Sequence, residues 1–260
     1  MYKVISILIT LLEINSVFAQ SLSPQVIANA GGFQESATGS LSFTIGETNT
    51  QTLSSATYKL TQGLQQPFEI NLLNVKAFLQ GFYTGSNQMQ DVLYNQGEYA
   101  SPSAVADSIT VELHDATPPY ALTFLTKTTI KRDGTITIKG LGAVGQSYYI
   151  VLKHRNSVET WSANSVLISA NTNYDFSTAA SQAFGGNQSE VESGVWALFS
   201  GDINQDDAID AFDYLILDPD INIGASGYLT TDLNGDGSVD SFDYLILDPN
   251  ILNGIGAAMP

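Results

Sequence analysis

The chain has 260 residues, no cysteine and a formal net charge of −17 at pH 7. The missing cysteines exclude disulfides, zinc–thiolate centres and thiol nucleophiles. So acidic a chain is repelled by nucleic acid and by anionic membranes, and metal cations are its natural counter-charge.

The N-terminus has the pattern of a secretory signal peptide over residues 1–19. Lys3 precedes a short apolar run at 4–12, and Val17 and Ala19 are the small residues expected just before a cleavage site. The alternative is an unprocessed N-terminal strand. The apolar run is too short to span a bilayer, and no other segment is long and apolar enough to do so. We therefore expect a secreted protein, extracellular or on the cell surface, without a transmembrane segment.

Residues 20–70 predict a small β unit. This stretch is rich in Gly, Ser, Thr and Gln, and two segments, 40–47 and 57–67, have the composition of strands. Pro67 ends the second of them.

Residues 71–200 predict a β-sandwich domain. Short β-forming segments recur there, separated by Gly, Asn and Pro turns. In one of them Ile109, Val111 and Leu113 fall on one face of a strand. The segments DGTITIKGL and SYYIVLKH, which begin at residues 133 and 147, resemble prealbumin-like or Cna-B-like β-sandwich modules of secreted bacterial proteins. The predicted fold class is therefore mainly β, with a small β unit before the sandwich.

An octapeptide, FDYLILDP, occurs twice, at residues 212–219 and 242–249, beside the densest run of aspartates. Both copies fit a twelve-residue loop with oxygen-bearing side chains at positions 1, 3, 5, 9 and 12. In the first loop these residues are Asp202, Asn204, Asp206, Asp210 and Asp213. In the second loop they are Asp232, Asn234, Asp236, Asp240 and Asp243.

Calcium explains this spacing. It is a hard cation with six to eight oxygen ligands, which a tight loop supplies from alternate side chains and one backbone carbonyl. That carbonyl, at position 7, belongs to Ala208 or Ser238. No Lys or Arg follows Arg155, so each set of four carboxylates lacks a neighbouring positive side chain in the sequence. The sequence therefore predicts two calcium ions, one in each loop, and not merely a solvated acidic surface.

The two loops resemble the tandem repeat of dockerin domains over residues 201–253, where Asp likewise stands at position 12. The resemblance implies a small C-terminal module over 201–260, with the residues just named as ligands. It also implies a cohesin-like partner, because dockerins bind cohesins and gather polysaccharide-degrading enzymes onto a scaffold. An accessory role in extracellular polysaccharide breakdown is therefore one of the functions it suggests.

The sequence departs from the dockerin pattern after each loop. Each helix is expected to cover only about AFDYLIL or SFDYLIL, and Pro219 or Pro249 is expected to end it after one or two turns. Such truncation would remove contact surface, which argues against a high-affinity cohesin complex. The Phe, Leu and Ile side chains of both copies are expected to form the shared core of a pseudo-twofold pair.

The loops also differ at position 6, where the backbone is expected to need a positive φ. Gly237 adopts that conformation at little cost, whereas Asp207 pays roughly 1 kcal/mol. We therefore expect the second loop to bind calcium more tightly.

No catalytic constellation is visible in the sequence. His114 and His154 are the only histidines, and both are expected on polar, solvent-facing parts of strands. Trp161 could stack on a sugar ring, so a polysaccharide ligand stays open. A hydrolase would need two carboxylates, such as Glu112 with another acid, or a His-centred cluster in one cleft. The sequence favours a non-catalytic protein.

Overall fold

The computed structural model describes residues 30–36, 39–45, 53–54, 59–60, 71–141 and 145–260. The chain divides into two compact units, Met1–Phe68 and Glu69–Pro260. The signal peptide expected at 1–19 lies outside the described residues. No helix in the described ranges is long and apolar enough to cross a membrane.

The first unit contributes two β-hairpins to the described residues. Its four strands are β1 (Ala30–Ser36), β2 (Gly39–Ile45), β3 (Leu53–Ser54) and β4 (Lys59–Leu60). β1 pairs antiparallel with β2, and β3 pairs antiparallel with β4.

The second unit contains a three-stranded sheet and a five-stranded sheet. The smaller sheet consists of β5 (Leu72–Lys76), β10 (Thr135–Lys139) and β14 (Asn171–Asp175). Its central strand, β5, runs antiparallel to β10 and parallel to β14. The larger sheet consists of β8 (Val105–Asp115), β9 (Leu122–Lys131), β11 (Ser147–His154), β12 (Ser157–Trp161) and β13 (Val166–Leu167). Its order is β12-β11-β8-β9, with β13 also paired to β11.

Shorter elements connect the two sheets. They are β6 (Tyr83–Gly85), β7 (Gln88–Met89), β15 (Ser189–Glu192), β16 (Val195–Ala197), helix α1 (Val92–Asn95) and the 3-10 turns Gln80–Phe82, Phe176–Thr178, Ala180–Gln182 and Phe184–Gly186. β6 pairs with β7, and β15 pairs with β16.

The two sheets enclose one hydrophobic core, as the alternation in the sequence predicted. Ile109, Val111 and Leu113 of β8 are at most 1% exposed. They belong to the same buried cluster as Leu73 of β5 and Ile136 of β10. Strand residues that alternate in polarity place their apolar side chains on one face, and packing two such faces excludes water. The mainly β fold is confirmed.

The C-terminal part consists of two loops, each followed by a helix, α2 (Ala211–Ile223) and α3 (Ser241–Leu252). A second hydrophobic cluster holds the helices together and includes Leu217, Leu247 and Val158. Since Val158 lies on β12, this cluster joins the helices to the larger sheet.

The expected truncation of these helices at proline is wrong. Pro219 and Pro249 lie inside α2 and α3, which continue for four and three further residues. Proline removes one backbone hydrogen bond, but its φ is compatible with a helix. Tertiary contacts hold the turn that follows: buried Asn250 donates its side-chain amide to the Ser200 carbonyl at 2.7 Å and to Gln80 Oε1 at 2.7 Å.

The expectation that every apolar residue of the octapeptide lies in a shared core is wrong in part. Leu217 and Leu247 are fully buried, but Phe212 is 62% and Phe242 is 60% exposed. The octapeptide is apolar on most of its circumference, and a helix can bury only one side against the sheet and its sister helix.

Candidate calcium-binding module

The two aspartate-rich loops share one internal hydrogen-bond scheme. Asp213 Oδ1 accepts the backbone N–H of Ile203 at 2.7 Å, and Asp213 Oδ2 accepts that of Asp210 at 2.9 Å. The corresponding Asp243 accepts from residues 233 and 240 at 2.7 and 2.9 Å. The carboxylate at position 12 therefore draws the beginning and the end of each loop together.

The aspartates at position 9 begin the helices. Asp210 Oδ1 accepts the backbone N–H of Phe212 at 2.7 Å, and Asp240 Oδ1 accepts that of Phe242 at 2.8 Å. Each is the N-cap residue of a capping box in which the position 12 carboxylate returns the bond. These caps explain why a helix starts immediately after each loop.

The carboxylates at positions 1 and 12 are buried, and in the part of the chain that the structure describes none of them forms an ion pair. Asp202, Asp213, Asp232 and Asp243 are at most 1% exposed. Among the described residues, the ion pairs of Lys, Arg and His go to other acids, Glu112, Glu159 and Asp107. Buried carboxylates are costly unless a cation compensates them.

The pKa values of these aspartates are raised because burial disfavours their charged form. Burial, together with the charge of Asp213, raises the pKa of Asp202 to about 7. Burial raises the pKa of Asp243 to about 6, and it also raises the pKa values of Asp213 and Asp232. Each loop thus combines two buried carboxylates with oxygen-bearing side chains at positions 3, 5 and 9, a donor set that suits a hard divalent cation such as calcium.

The side chains at positions 3 and 5 face each other. Asn204 Nδ2 donates to Asp206 Oδ2 at 2.8 Å, and Asn234 Nδ2 donates to Asp236 Oδ2 at 3.1 Å. Within the described ranges no three His, Cys, Asp or Glu side chains are arranged to hold a metal ion.

The residues at position 7, whose backbone carbonyls are the predicted ligands, each form a β-bridge with another segment of the chain. Ala208 forms an antiparallel bridge with Gly256, and Ser238 forms one with Ser226. Each bridge therefore attaches the second half of its loop to that segment.

Position 6 has the backbone conformation that the sequence predicted. Asp207 has φ 70° and Gly237 has φ 94°. Position 4 shares this property, since Gln205 has φ 58° and Gly235 has φ 75°. Both loops thus need left-handed residues at two places, and only the second loop meets both with glycine.

The repeats are joined by reciprocal hydrogen bonds that the sequence analysis missed. Tyr244 donates its hydroxyl to Asp218 Oδ1 at 2.6 Å, and Tyr214 donates to Asp248 Oδ1. Hydrogen bonds to these aspartates raise the pKa of each tyrosine to about 12. Tyr and Asp are the third and seventh residues of the octapeptide, so each copy supplies the donor for one bond and the acceptor for the other.

The sequence predicted that His154 and Arg155 lie at a solvated strand end, and this prediction is wrong. His154 is 3% exposed and lies 3.1 Å from Asp107 Oδ2, to which Arg155 Nε also donates at 3.1 Å. Burial alone would raise the pKa of Asp107, but His154 and Arg155 hold it well below the usual range. Arg155 also donates to the carbonyl of Leu229. It therefore ties the sandwich to the segment between the loops.

A second polar cluster lies on the outer face of the larger sheet. His114 Nε2 is 2.9 Å from Glu112 Oε2, and its ring centroid is 4.5 Å from that of Trp161. Lys153 bridges Glu112 and Glu159, and Glu159 also accepts from the Trp161 indole. Trp161 is only 5% exposed. Its ring therefore offers little face for a sugar to stack on, and both carboxylates are paired with the same lysine.

Together, the fold and the loops define a β-sandwich protein with a C-terminal tandem-repeat module. Residues 200–252 match the family model of the dockerin type I domain, and this part of the chain is a dockerin type I domain. Domains of this family bind calcium. No curated protein sequence matches the chain.

Two solved structures that this chain matches are variants of a type II cohesin–X-dockerin complex from Acetivibrio cellulolyticus. A C-terminal interface mutant matches with TM-score 0.44 and 16% identity, over 72% of this chain and 97% of the other. An N-terminal interface mutant matches with TM-score 0.42 and 18% identity, over 70% and 95%.

Proposed function

We propose that this protein is a non-catalytic extracellular component that docks onto a cohesin-like partner through its C-terminal dockerin domain. One calcium ion in each loop would fix the helices in place. Its ligands would be the side chains at positions 1, 3, 5, 9 and 12 and the carbonyl at position 7. The ion would neutralise the buried carboxylates, so that ion binding and folding of the domain are one equilibrium.

The observation that carries the docking proposal is a pair of equivalent apolar helix faces. Phe212 and Leu215 of α2 are 62% and 67% exposed, and Phe242 and Leu245 of α3 are 60% and 68% exposed. Residues three apart on a helix are neighbours, so each pair forms one continuous patch. Large exposed apolar side chains in a contiguous patch mark interaction surfaces. We call these patches the α2 face and the α3 face.

Full-length α2 and α3 also remove the sequence-based argument against cohesin binding. That argument rested on helices cut short by proline, whereas the helices span 13 and 12 residues. A cohesin module is the partner that dockerin domains bind, and the two faces offer it an apolar contact on either repeat.

The test is a binding titration of the purified chain against a panel of cohesin modules, in calcium and in EDTA. Phe212→Ser with Leu215→Ser disables the α2 face, and Phe242→Ser with Leu245→Ser disables the α3 face. Leu125→Ser is the matched control, because Leu125 is 54% exposed but lies on β9 of the sandwich, outside both faces.

We expect calcium-dependent binding that is lost when both faces are changed and kept in the Leu125 control. A hot-spot aromatic removed from an interface costs about 2 kcal/mol or more, a factor of roughly 30 in Kd. If no cohesin binds, or if binding survives the loss of both faces, the docking proposal is wrong.

A further inference from the structure

The second calcium loop is packed directly against the β-sandwich. Gln96, just after α1, donates its side-chain amide to Asp232 Oδ2, the carboxylate at position 1 of that loop. Asn95 Nδ2 donates to the Gly235 carbonyl at 3.0 Å, and Asn156 Nδ2 donates to the Asp232 carbonyl at 3.2 Å. Three side chains from outside the dockerin domain therefore contact one calcium loop.

The two glycines of this loop are explained by the same packing. A Cβ at Gly237 would lie 2.4 Å from the Asn95 carbonyl oxygen, and one at Gly235 would lie 2.6 Å from Val92 Cγ2. On the facing side, a Cβ at Gly81 would lie 2.0 Å from the Leu233 carbonyl oxygen. None of these distances can hold a carbon atom. Glycine at positions 4 and 6 is therefore required by contact with the sandwich as well as by positive φ.

The first loop lacks this environment. Gln205 and Asp207 stand where the second loop has its glycines. The carboxylate of Asp202, at position 1, accepts hydrogen bonds from the backbone N–H groups of Asp206 and Asp207 at 3.2 Å. Among the described residues, no side chain of the sandwich donates to Asp202. The two loops have similar sequences but different surroundings.

Gln96 itself is held in place. It is 6% exposed, and its Oε1 accepts from Arg155 Nη2 at 3.1 Å. The Arg155 guanidinium is in turn fixed by Asp107 and lies 4.5 Å from the ring centroid of Tyr228. With its oxygen bonded to Arg155, the amide must present its NH₂ group to Asp232.

We propose that Gln96 is a positioning residue of the second calcium loop, through which the β-sandwich raises the calcium affinity of that loop alone. The amide holds the Asp232 carboxylate in one orientation, so that less ordering remains to be done when the ion binds. Among the described residues the first loop has no such donor, so the entropy cost of ordering the Asp202 carboxylate reduces its calcium affinity. This inference rests on the proposed calcium binding but concerns a residue outside both loops.

The test is a calcium titration of the full chain followed by amide NMR. The amides of Gly235 and Gly237 report the second loop, and those of Gln205 and Asp207 report the first loop. Both loops are thus measured in one sample without a second substitution. The variant is Gln96→Leu, which keeps the size of the side chain and removes the donor. Gln88→Leu is the matched control, since Gln88 is exposed and its side-chain amide donates to the carbonyl of its neighbour Asn87 at 3.0 Å.

In Gln96→Leu we expect the calcium concentration for half-saturation of the second loop to rise about fivefold to tenfold, from the ordering of a side chain. The first loop should stay within twofold, and Gln88→Leu should match the wild type at both loops. Retained first-loop amide shifts show that the variant is folded. An unchanged second loop, or an equal loss in both loops, overturns the role of Gln96. Failure of the wild-type amides to respond to calcium would instead refute the proposed calcium binding itself.

Discussion

Tyr244 of the second repeat donates its hydroxyl to Asp218 of the first repeat at 2.6 Å, and Tyr214 returns the bond to Asp248. This reciprocity accounts for the duplication of the octapeptide. Each copy needs a tyrosine for its partner's aspartate and an aspartate for its partner's tyrosine. The buried leucines Leu217 and Leu247 then pack beneath the pair of bonds.

Removing either hydroxyl should destabilise the second unit by roughly 1 kcal/mol. The acceptor of each hydrogen bond is a charged carboxylate, which strengthens the bond, but partial exposure to solvent weakens it. For a unit of this size that is a fall in Tm of about 2–4 °C. Tyr214→Phe and Tyr244→Phe should be compared by calorimetry in calcium, with the exposed Tyr94→Phe as control. Variants that unfold together with the wild type would show that the bonds contribute nothing.

The position 6 residues of the two loops should not be interchangeable. Asp207→Gly should tighten the first loop about fivefold, because a positive φ costs Asp roughly 1 kcal/mol. Gly237→Asp should do far more damage, since its Cβ would lie 2.4 Å from the Asn95 carbonyl oxygen. Isothermal calorimetry with calcium measures both changes. Equal and opposite effects would mean that φ alone governs this position and that contact with the sandwich is irrelevant.

Asn250 should be one of the most sensitive residues of α3. It is 2% exposed and donates to both Ser200 and Gln80. Asn250→Leu leaves the buried Ser200 carbonyl without this donor, at a cost of about 1–3 kcal/mol, whereas Gln80 Oε1 still accepts the Ser200 backbone N–H. Urea unfolding should show this loss, whereas Leu252→Ser, at an 86% exposed position of the same helix, should lie within about 0.5 kcal/mol of wild type. If Asn250→Leu changes the free energy of unfolding by less than about 0.5 kcal/mol, the contacts of Asn250 are not what holds α3 together past Pro249.

The calcium-free protein should lose stability as the pH rises from 5 to 8. The folded-state pKa values of Asp202 and Asp243, about 7 and about 6, lie above the unfolded value of about 3.9. The folded state therefore binds more protons than the unfolded state between these values. Stability from these groups is complete below about pH 4 and is lost as the pH passes 6 to 7. Calcium replaces the protons, so the difference in Tm between calcium and EDTA should widen from pH 5 to pH 8. A difference independent of pH would contradict the raised pKa values.

The sequence predicted what depends on local spacing. Alternation placed Ile109, Val111 and Leu113 on the buried face of β8, and the loop period located the module that matches the dockerin family. It also predicted the positive φ of Asp207 and Gly237. Each of these features is set by residues close together in the chain.

What the sequence did not predict depends on contacts between distant segments. Nothing local distinguishes buried Leu217 from exposed Leu215, because the helix is apolar on several sides and the sister repeat decides which side is covered. The role of Pro249 was misjudged because Gln80 and Ser200, far away in sequence, hold the last turn of α3. The sequence indicated one reason for Gly237, the positive φ at position 6. It could not indicate the other, the close contact with the Asn95 carbonyl, because Asn95 lies 142 positions earlier in the chain.

The most direct test of calcium binding by the two loops is thermal unfolding of the full chain in EDTA and in millimolar calcium at pH 8. If the two loops bind calcium only when folded, the stabilisation grows as RT ln(1 + [L]/Kd). For a Kd of about 10⁻⁴ M, as in extracellular modules, 10 mM calcium stabilises the fold by roughly 2.7 kcal/mol for each loop. We expect calcium to raise the Tm clearly, and we expect this rise to be lost in the double variant Asp202→Ala with Asp232→Ala. Superimposable unfolding curves of the wild type in EDTA and in calcium would contradict calcium binding by the two loops.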